Sequence, residues 1–173
     1  MVIKHIFELL KGKLWAVQYD AEKTHELNIL QDQWTDVQWL LDFFDEHEED
    51  LNSGFYEKYK VDDAIEITMD EADELFYALE EAENLDALFK PLNDRDYRIK
   101  NFQKQKAKGS ERKTWLRIYA VRFNEGYVIT GGAIKLTKTM QERAHTNMEL
   151  KKLEIVRDAL KLNNSEEKFI DLD

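Results

Sequence analysis

Apolar residues along this chain follow two different spacings, and the change from one to the other divides it. Ile3 to Leu10 and Leu14 to Tyr19 are dense in β-favouring and aromatic residues, and Lys11-Gly12-Lys13 between them is a turn, which predicts an N-terminal hairpin. Leu27, Leu30, Trp34, Val37, Leu41 and Phe44 then recur at steps of three and four, the apolar stripe of an amphipathic helix. Asn52-Ser53-Gly54 breaks it. Ile65, Met69, Ala72, Phe76 and Leu79 repeat the pattern in a second helix. Its start is ambiguous, because Thr68-Met69-Asp70-Glu71 also fits a capping box. An antiparallel helical pair is the simple outcome.

Pro91, the single proline, with Asn93-Asp94 behind it, ends the helical half. Tyr97 to Ala107, Trp115 to Phe123 and Tyr127 to Thr137 read as three strands separated by Gly109-Ser110 and Asn124-Glu125-Gly126, an antiparallel meander. Thr139-Met140-Gln141-Glu142 is a second capping-box candidate, and Met148, Leu153, Val156 and Leu160 carry helical spacing from there to about Leu162. The expected fold is α+β. Its antiparallel twisted sheet, made of the hairpin and the meander, packs with an acidic helical pair and a C-terminal helix in one domain over residues 1–173.

Charge changes this picture because it is divided by position. Residues 1–90 carry 7 Lys and Arg against 24 Asp and Glu, a net of −17, whereas residues 91–161 carry 17 against 8, a net of +9. The overall −11 therefore conceals a basic part, and a field is set by where charge sits. Asp42 to Asp50 holds six acidic residues in nine, which reads as a solvated helix end. The chain has no cysteine, which excludes thiol catalysis and thiolate metal sites and makes a reducing cytoplasm the compatible compartment. Charge interrupts the first residues too early for a signal peptide, and no apolar run is long enough to span a bilayer, so no membrane is expected.

Side chains two apart on a strand share a face, so Lys104, Lys106 and Lys108 project together, as do Trp115, Arg117 and Tyr119 on the next strand. Leu116, Ile118 and Ala120 then point to the core. Val128, Ile134 and Leu136 read as the buried set of the last strand, leaving Lys135 and Thr137 opposite, with Gly131-Gly132 a candidate bulge that shifts parity. Cations neutralise phosphates and flat side chains stack on unpaired bases, so such a face suits RNA. The wet side of a half-buried sheet has the same alternation, and spacing alone leaves both readings open. His145, early in the last helix, is the one histidine near the basic strands in sequence and a candidate general acid or base. Histidine spacing gives no zinc site, the acidic run lacks the order of a calcium loop, and no nucleotide fingerprint is present, so neither metal nor cofactor is expected.

Leu88-Phe89-Lys90-Pro91-Leu92, Tyr97-Arg98-Ile99, Trp115-Leu116-Arg117-Ile118-Tyr119 and Ala133-Ile134-Lys135-Leu136-Thr137-Lys138-Thr139, followed by a charged helix, come in an order and spacing that resembles the RelE/ParE superfamily of toxins. The HigB-like, phage-derived host-inhibition branch is the most similar pattern. The likeness covers about residues 85–161, and the acidic helical stretch at about 42–86 is then an insertion. The resemblance implies a sheet that cradles RNA, commonly messenger RNA on the ribosome, cleaved without metal or cofactor, and an antitoxin protein as partner. By position it implies Arg117 for phosphate stabilisation with Lys135 and Lys138 beside it, while the family's C-terminal proton-transfer group has no clear counterpart here, so His145 stands only on its nearness to the basic strands. Lys104, Lys106 and Lys108 would position RNA or, were one of them depressed in pKa, supply a base; Arg122 would contact RNA, and Tyr119 would stack on a base. In one variant the acidic helices lie over or beside the basic sheet and mask it. The competing reading is a non-catalytic interaction module on the same scaffold, presenting Trp34, Trp39, Phe43, Phe44, Phe55, Tyr56 and Tyr59 to a protein.

Overall fold

The computed structural model describes residues 1–53, 55–81, 83–92, 101–108 and 114–164, with side chains to residue 162. The hairpin forms where the alternation places it, as β1 (Ile3–Leu10) and β2 (Leu14–Tyr19), and Gly12 supplies the left-handed turn residue at φ 68°. Helices α1 (Glu26–Trp34), α2 (Val37–Glu46), α3 (Glu48–Leu51) and α4 (Val61–Glu81) follow, then β3 (Phe89–Pro91), β4 (Lys104–Lys108), β5 (Leu116–Phe123), β6 (Gly126–Ile134) and α5 (Ala144–Asn164). The strands make one six-stranded sheet in the order β1-β2-β6-β5-β4-β3. Every pairing is antiparallel except β2 with β6, so the hairpin joins the expected meander side by side in parallel.

Each face of this sheet has its own core. Leu116, Ile118, Ala120, Tyr127, Ile129 and Ile134 pack under α1–α4, against residues such as Leu30, Trp34, Phe44, Leu75 and Leu79. Tyr119, Val121, Val128 and Trp15 face the other way and meet Leu153, Val156 and Leu160 of α5. Both layers bury large apolar side chains, at roughly 1.5–3 kcal/mol each relative to exposure, which is how strands rich in lysine are held in place.

Several expectations are corrected in detail. The stripe from Leu27 to Phe44 is two helices, because the Asp36 carboxylate accepts from the backbone N–H groups of Gln38 (2.9 Å) and Trp39 (3.1 Å) and starts α2 afresh. Leu40 is buried as a result and Val37 is exposed. Thr68 does not cap α4. It sits inside the helix, where its hydroxyl donates to the Ala64 carbonyl and accepts from the Trp115 indole. Helix α4 ends at Glu81 and Pro91 belongs to an edge strand, a position where its missing N–H is tolerated. Met148 is exposed, whereas Leu153, Val156 and Leu160 are buried as expected. The capping box at Thr139 and Glu142 forms, closing a 3-10 turn just ahead of α5. The first residues of the expected strand from Tyr97 lie outside the described residues.

Candidate nucleic-acid interface

Pairing register assembles the basic face. Lys104, Lys106 and Lys108 of β4 stand opposite Val121, Tyr119 and Arg117 of β5, while Gln105 and Ala107 between them turn to the core under α1–α4. Lys108 stands directly opposite Arg117, a pairing of like charges that costs a sheet stability. Across β6 the chain leaves the sheet through Lys135 and Lys138, and α5 supplies the far wall.

These elements enclose an open groove of about 830 Å³. Eight cations line it: Lys104, Lys106, Lys108, Arg117, Lys135, Lys138, Arg157 and Lys161. Among the described residues no carboxylate lines it. Glu154 of α5 supplies a counter-charge beside it, accepting from Lys104 and from Arg157 (2.5 Å). Arg117 is 8 % exposed, and its guanidinium donates to the main-chain carbonyls of Thr114 (2.7 Å) and Leu116 (2.9 Å) rather than to a described carboxylate. A guanidinium held this way keeps its charge and a fixed direction.

Lys135 shows how closely these cations crowd. Its ammonium donates to the Lys138 carbonyl at 2.8 Å. Burial first, then Arg117, Lys106 and Lys108, push its pKa down to about 8 against a weak opposing pull from Glu142. The groove therefore contains an amine that gives up its proton more readily than an ordinary lysine. Tyr119 lies on the floor with its ring packed in the α5-side core, 1 % exposed, and burial raises its pKa. Its hydroxyl has no hydrogen-bond partner among the described residues. A base cannot stack on so buried a ring. The aromatic faces on the groove are Phe55, 48 % exposed, and Phe102, whose φ of 62° is a costly conformation for a bulky residue.

Seven of the sequence-derived candidates thus meet: Lys104, Lys106, Lys108, Arg117, Tyr119, Lys135 and Lys138. Three others do not. Arg122 is an odd number of residues from Arg117 and points to the opposite face, where it pairs with Asp86 (2.5 Å) and covers the Tyr127 ring. Trp115 lies just before β5 and turns into the helical core, edge-on to Phe44, Tyr56 and Tyr59. His145 lines a different cavity, its Nε2 2.9 Å from the Ile134 carbonyl and its ring against Phe43 and His47. The residues missed were Arg157 and Lys161. Their spacing of four puts them on one side of a helix, but only tertiary packing says which side faces the groove.

The bulge suggested by Gly131-Gly132 exists: Tyr119 pairs with Gly131 and Ala120 with Ile129, leaving Thr130 as the extra residue. It puts Val128 on the α5 side and Ile134 on the other, which the unbroken alternation could not give. Of the masking variant, topology excludes one half: helices α1–α4 cover the face opposite the groove and do not lie over the cations, although Phe55, between α3 and α4, reaches the groove's edge. Comparison with protein-family models, curated proteins and solved structures finds no match for this chain. Among the described residues no helix is long and apolar enough to cross a membrane.

Proposed function

We propose that the groove binds single-stranded RNA and that the protein is a toxin-like RNA-binding protein of the RelE/ParE kind, acting as a metal-independent endoribonuclease. The observation that carries this reading is the convergence of eight cations, and no described carboxylate, on one concave surface. Cations alone would suit any polyanion. Single-stranded RNA is favoured because Phe55 and Phe102 offer rings beside the cations for unpaired bases.

Cleavage needs three things: removal of the ribose 2′-OH proton, charge stabilisation as that oxygen attacks phosphorus, and a proton for the departing 5′ oxygen. Lys135 in its neutral form takes the first proton, aided by a pKa near 8. Arg117, with Lys138 near it, stabilises the phosphorane. The protonated Lys135 then returns its proton to the 5′ oxygen, leaving a cyclic phosphate and a 5′ hydroxyl. His145 and Arg122 have no part in this reading. Messenger RNA, a ribosome-bound substrate and an inhibitory antitoxin are the partners that the family resemblance adds.

Induced expression of the intact chain, with growth and messenger RNA integrity followed, tests it. Wild type should arrest growth and fragment messages, Arg117→Ala and Lys135→Met should not, and cleavage in vitro should persist in EDTA. Full cleavage by Arg117→Ala removes the assignment. The competing interaction-module reading loses most of its surface, because Trp34, Phe44 and Tyr56 are buried and only Phe55 of its seven aromatics is exposed.

A further inference from the structure

A second cavity, of about 560 Å³, opens on the other side of β6 from the groove's lysines, where the sheet is incomplete. Strands β2 and β6 pair only over Leu14–Ala16 with Tyr127–Ile129. Beyond that they part, and the Tyr19 hydroxyl reaches the Thr130 carbonyl (2.7 Å) across the gap. Three charged side chains fill the space: Glu26 from α1, and Glu149 and Lys152 from α5. Gly131 makes room, since a side chain there would collide with the Glu149 carboxylate and crowd that of Glu26.

The cluster has more acceptors than donors. Lys152 donates to Glu149 Oε1 (3.0 Å) and Glu26 Oε2 (3.3 Å). The other two oxygens, Glu26 Oε1 and Glu149 Oε2, are buried and meet no donor among the described residues, and the Glu22 carboxyl lies close enough to Glu26 to share a proton with it. The two residues are 2 % and 5 % exposed, and buried acceptors left unmatched are costly. Burial, with the Glu22 carboxyl beside it, pushes Glu26 up to about 9, and burial pushes Glu149 up to about 7, against the opposing pull of Lys152. Burial opposes the Lys152 charge, and Glu149 and Glu26 overcome it.

The walls decide what would complete it. Trp39 and Phe43, stacked with centroids 5.6 Å apart, line the cavity together with Glu22 and Glu46. An anion finds little here: Arg143 is held by both oxygens of Asp50, and burial and His145 keep His47 below its ordinary pKa. Carboxylates with aromatic faces suit an organic cation, which gains from both. We infer that this cavity binds a small organic cation, an alkylammonium or guanidinium compound, with Glu26 and Glu149 as its counter-ions and Trp39 and Phe43 as its aromatic wall. Binding favours the ionised form of both carboxyls and so releases protons. The other titratable neighbours are Tyr19 on β2, Glu22 ahead of α1, Glu46 and His47 around the end of α2, and His145 on α5.

Calorimetry with agmatine as the probe, at pH 7 in two buffers of different ionisation enthalpy, tests this. Saturable binding with proton release is expected, weakened at least tenfold in Glu26→Gln and in Trp39→Leu, and absent for a neutral alcohol of similar size. No saturable binding at millimolar agmatine, or equal binding by Glu26→Gln, overturns it. Should that variant fail to fold, carboxyl-carbon NMR of the wild type decides: two glutamate resonances must move to the ionised position on adding agmatine, and unmoved resonances contradict the proposal. Tighter binding by a short arginyl peptide than by agmatine would reject the small-ligand assignment. The site lies outside the groove, so neither result bears on the RNA reading.

Discussion

One-residue steps along β4 and β5 separate two environments with opposite chemistry. Gln105, Ala107, Ile118 and Ala120 lie beneath four helices, fully enclosed. Lys104, Lys106, Lys108 and Arg117, their immediate neighbours, look into a groove that α5 walls on one side only. The pleat alone makes this difference. It also explains how a chain with net charge −11 keeps a basic surface. The carboxylates exposed on α4 are separated from the lysines by a sheet-to-helix spacing of roughly 10 Å and by the helix itself, about 10 Å across. Their combined depth exceeds the Debye length of about 8 Å in physiological salt, so the acidic layer is largely screened from the groove.

The comparison breaks most sharply at Trp115. This residue packs against three aromatic rings and donates to Thr68 on the enclosed face, so Trp115→Ala should cost about 3–5 kcal/mol in urea unfolding. A loss under about 1 kcal/mol would mean that the closed face is not the main store of stability. On the open face the effect should fall on binding. Arg117→Ala is expected to weaken single-stranded RNA by at least tenfold, about 1.4 kcal/mol, measured by fluorescence anisotropy.

Acidity sharpens the contrast next. Glu149 and Glu26 have folded-state pKa values above those of the unfolded chain, so the native state holds protons that the unfolded state loses. Stability should therefore fall as pH rises from the ordinary carboxyl value through about 7, with Glu26 extending the fall toward 9. Lys135 has the reverse sign for a base: its cost is present below about 8 and is relieved above. Unfolding midpoints between pH 5 and 7.5 should decline in wild type and flatten in Glu149→Gln. Equal slopes would remove the buried carboxyl from the account.

Smaller effects separate a binding face from a merely solvated one. Lys108→Gln removes a like-charge neighbour of Arg117, so it should stabilise the fold by about 0.2–1 kcal/mol while weakening RNA binding. A merely solvated face would leave RNA binding unchanged. Smallest of all, Asp70→Asn with Asp73→Asn on α4 should shift RNA affinity less than about twofold in physiological salt, because screening hides those charges. A larger gain would restore masking by the acidic helices.

Much of this arrangement was legible in the residues. The hairpin, the meander from Lys104 to Ile134 and the shared face of Lys104, Lys106, Lys108 and Arg117 follow from alternation, which is a local property. What was hidden depends on caps and neighbours. Asp36 split a helix that apolar spacing drew as continuous, because a side chain capping N–H groups leaves no trace in hydrophobic period. Trp115 lay one residue outside the strand that would have faced it to the groove. Arg157 and Lys161 join the site only through the docking of α5. The Glu26–Glu149–Lys152 cluster spans more than 120 residues of chain, and no spacing rule connects such partners.

The central claim is that the open face of β4 and β5 is an RNA site, and its most direct measure is the salt dependence of binding. Affinity of a short single-stranded RNA should be followed from 50 to 300 mM salt for wild type and for Lys106→Gln/Lys108→Gln. Each phosphate contact contributes about 0.7 to the slope of log K against log salt, so the double variant should bind at least tenfold more weakly with a slope smaller by about 1.4. Equal affinity and equal slope in the two proteins would contradict the account.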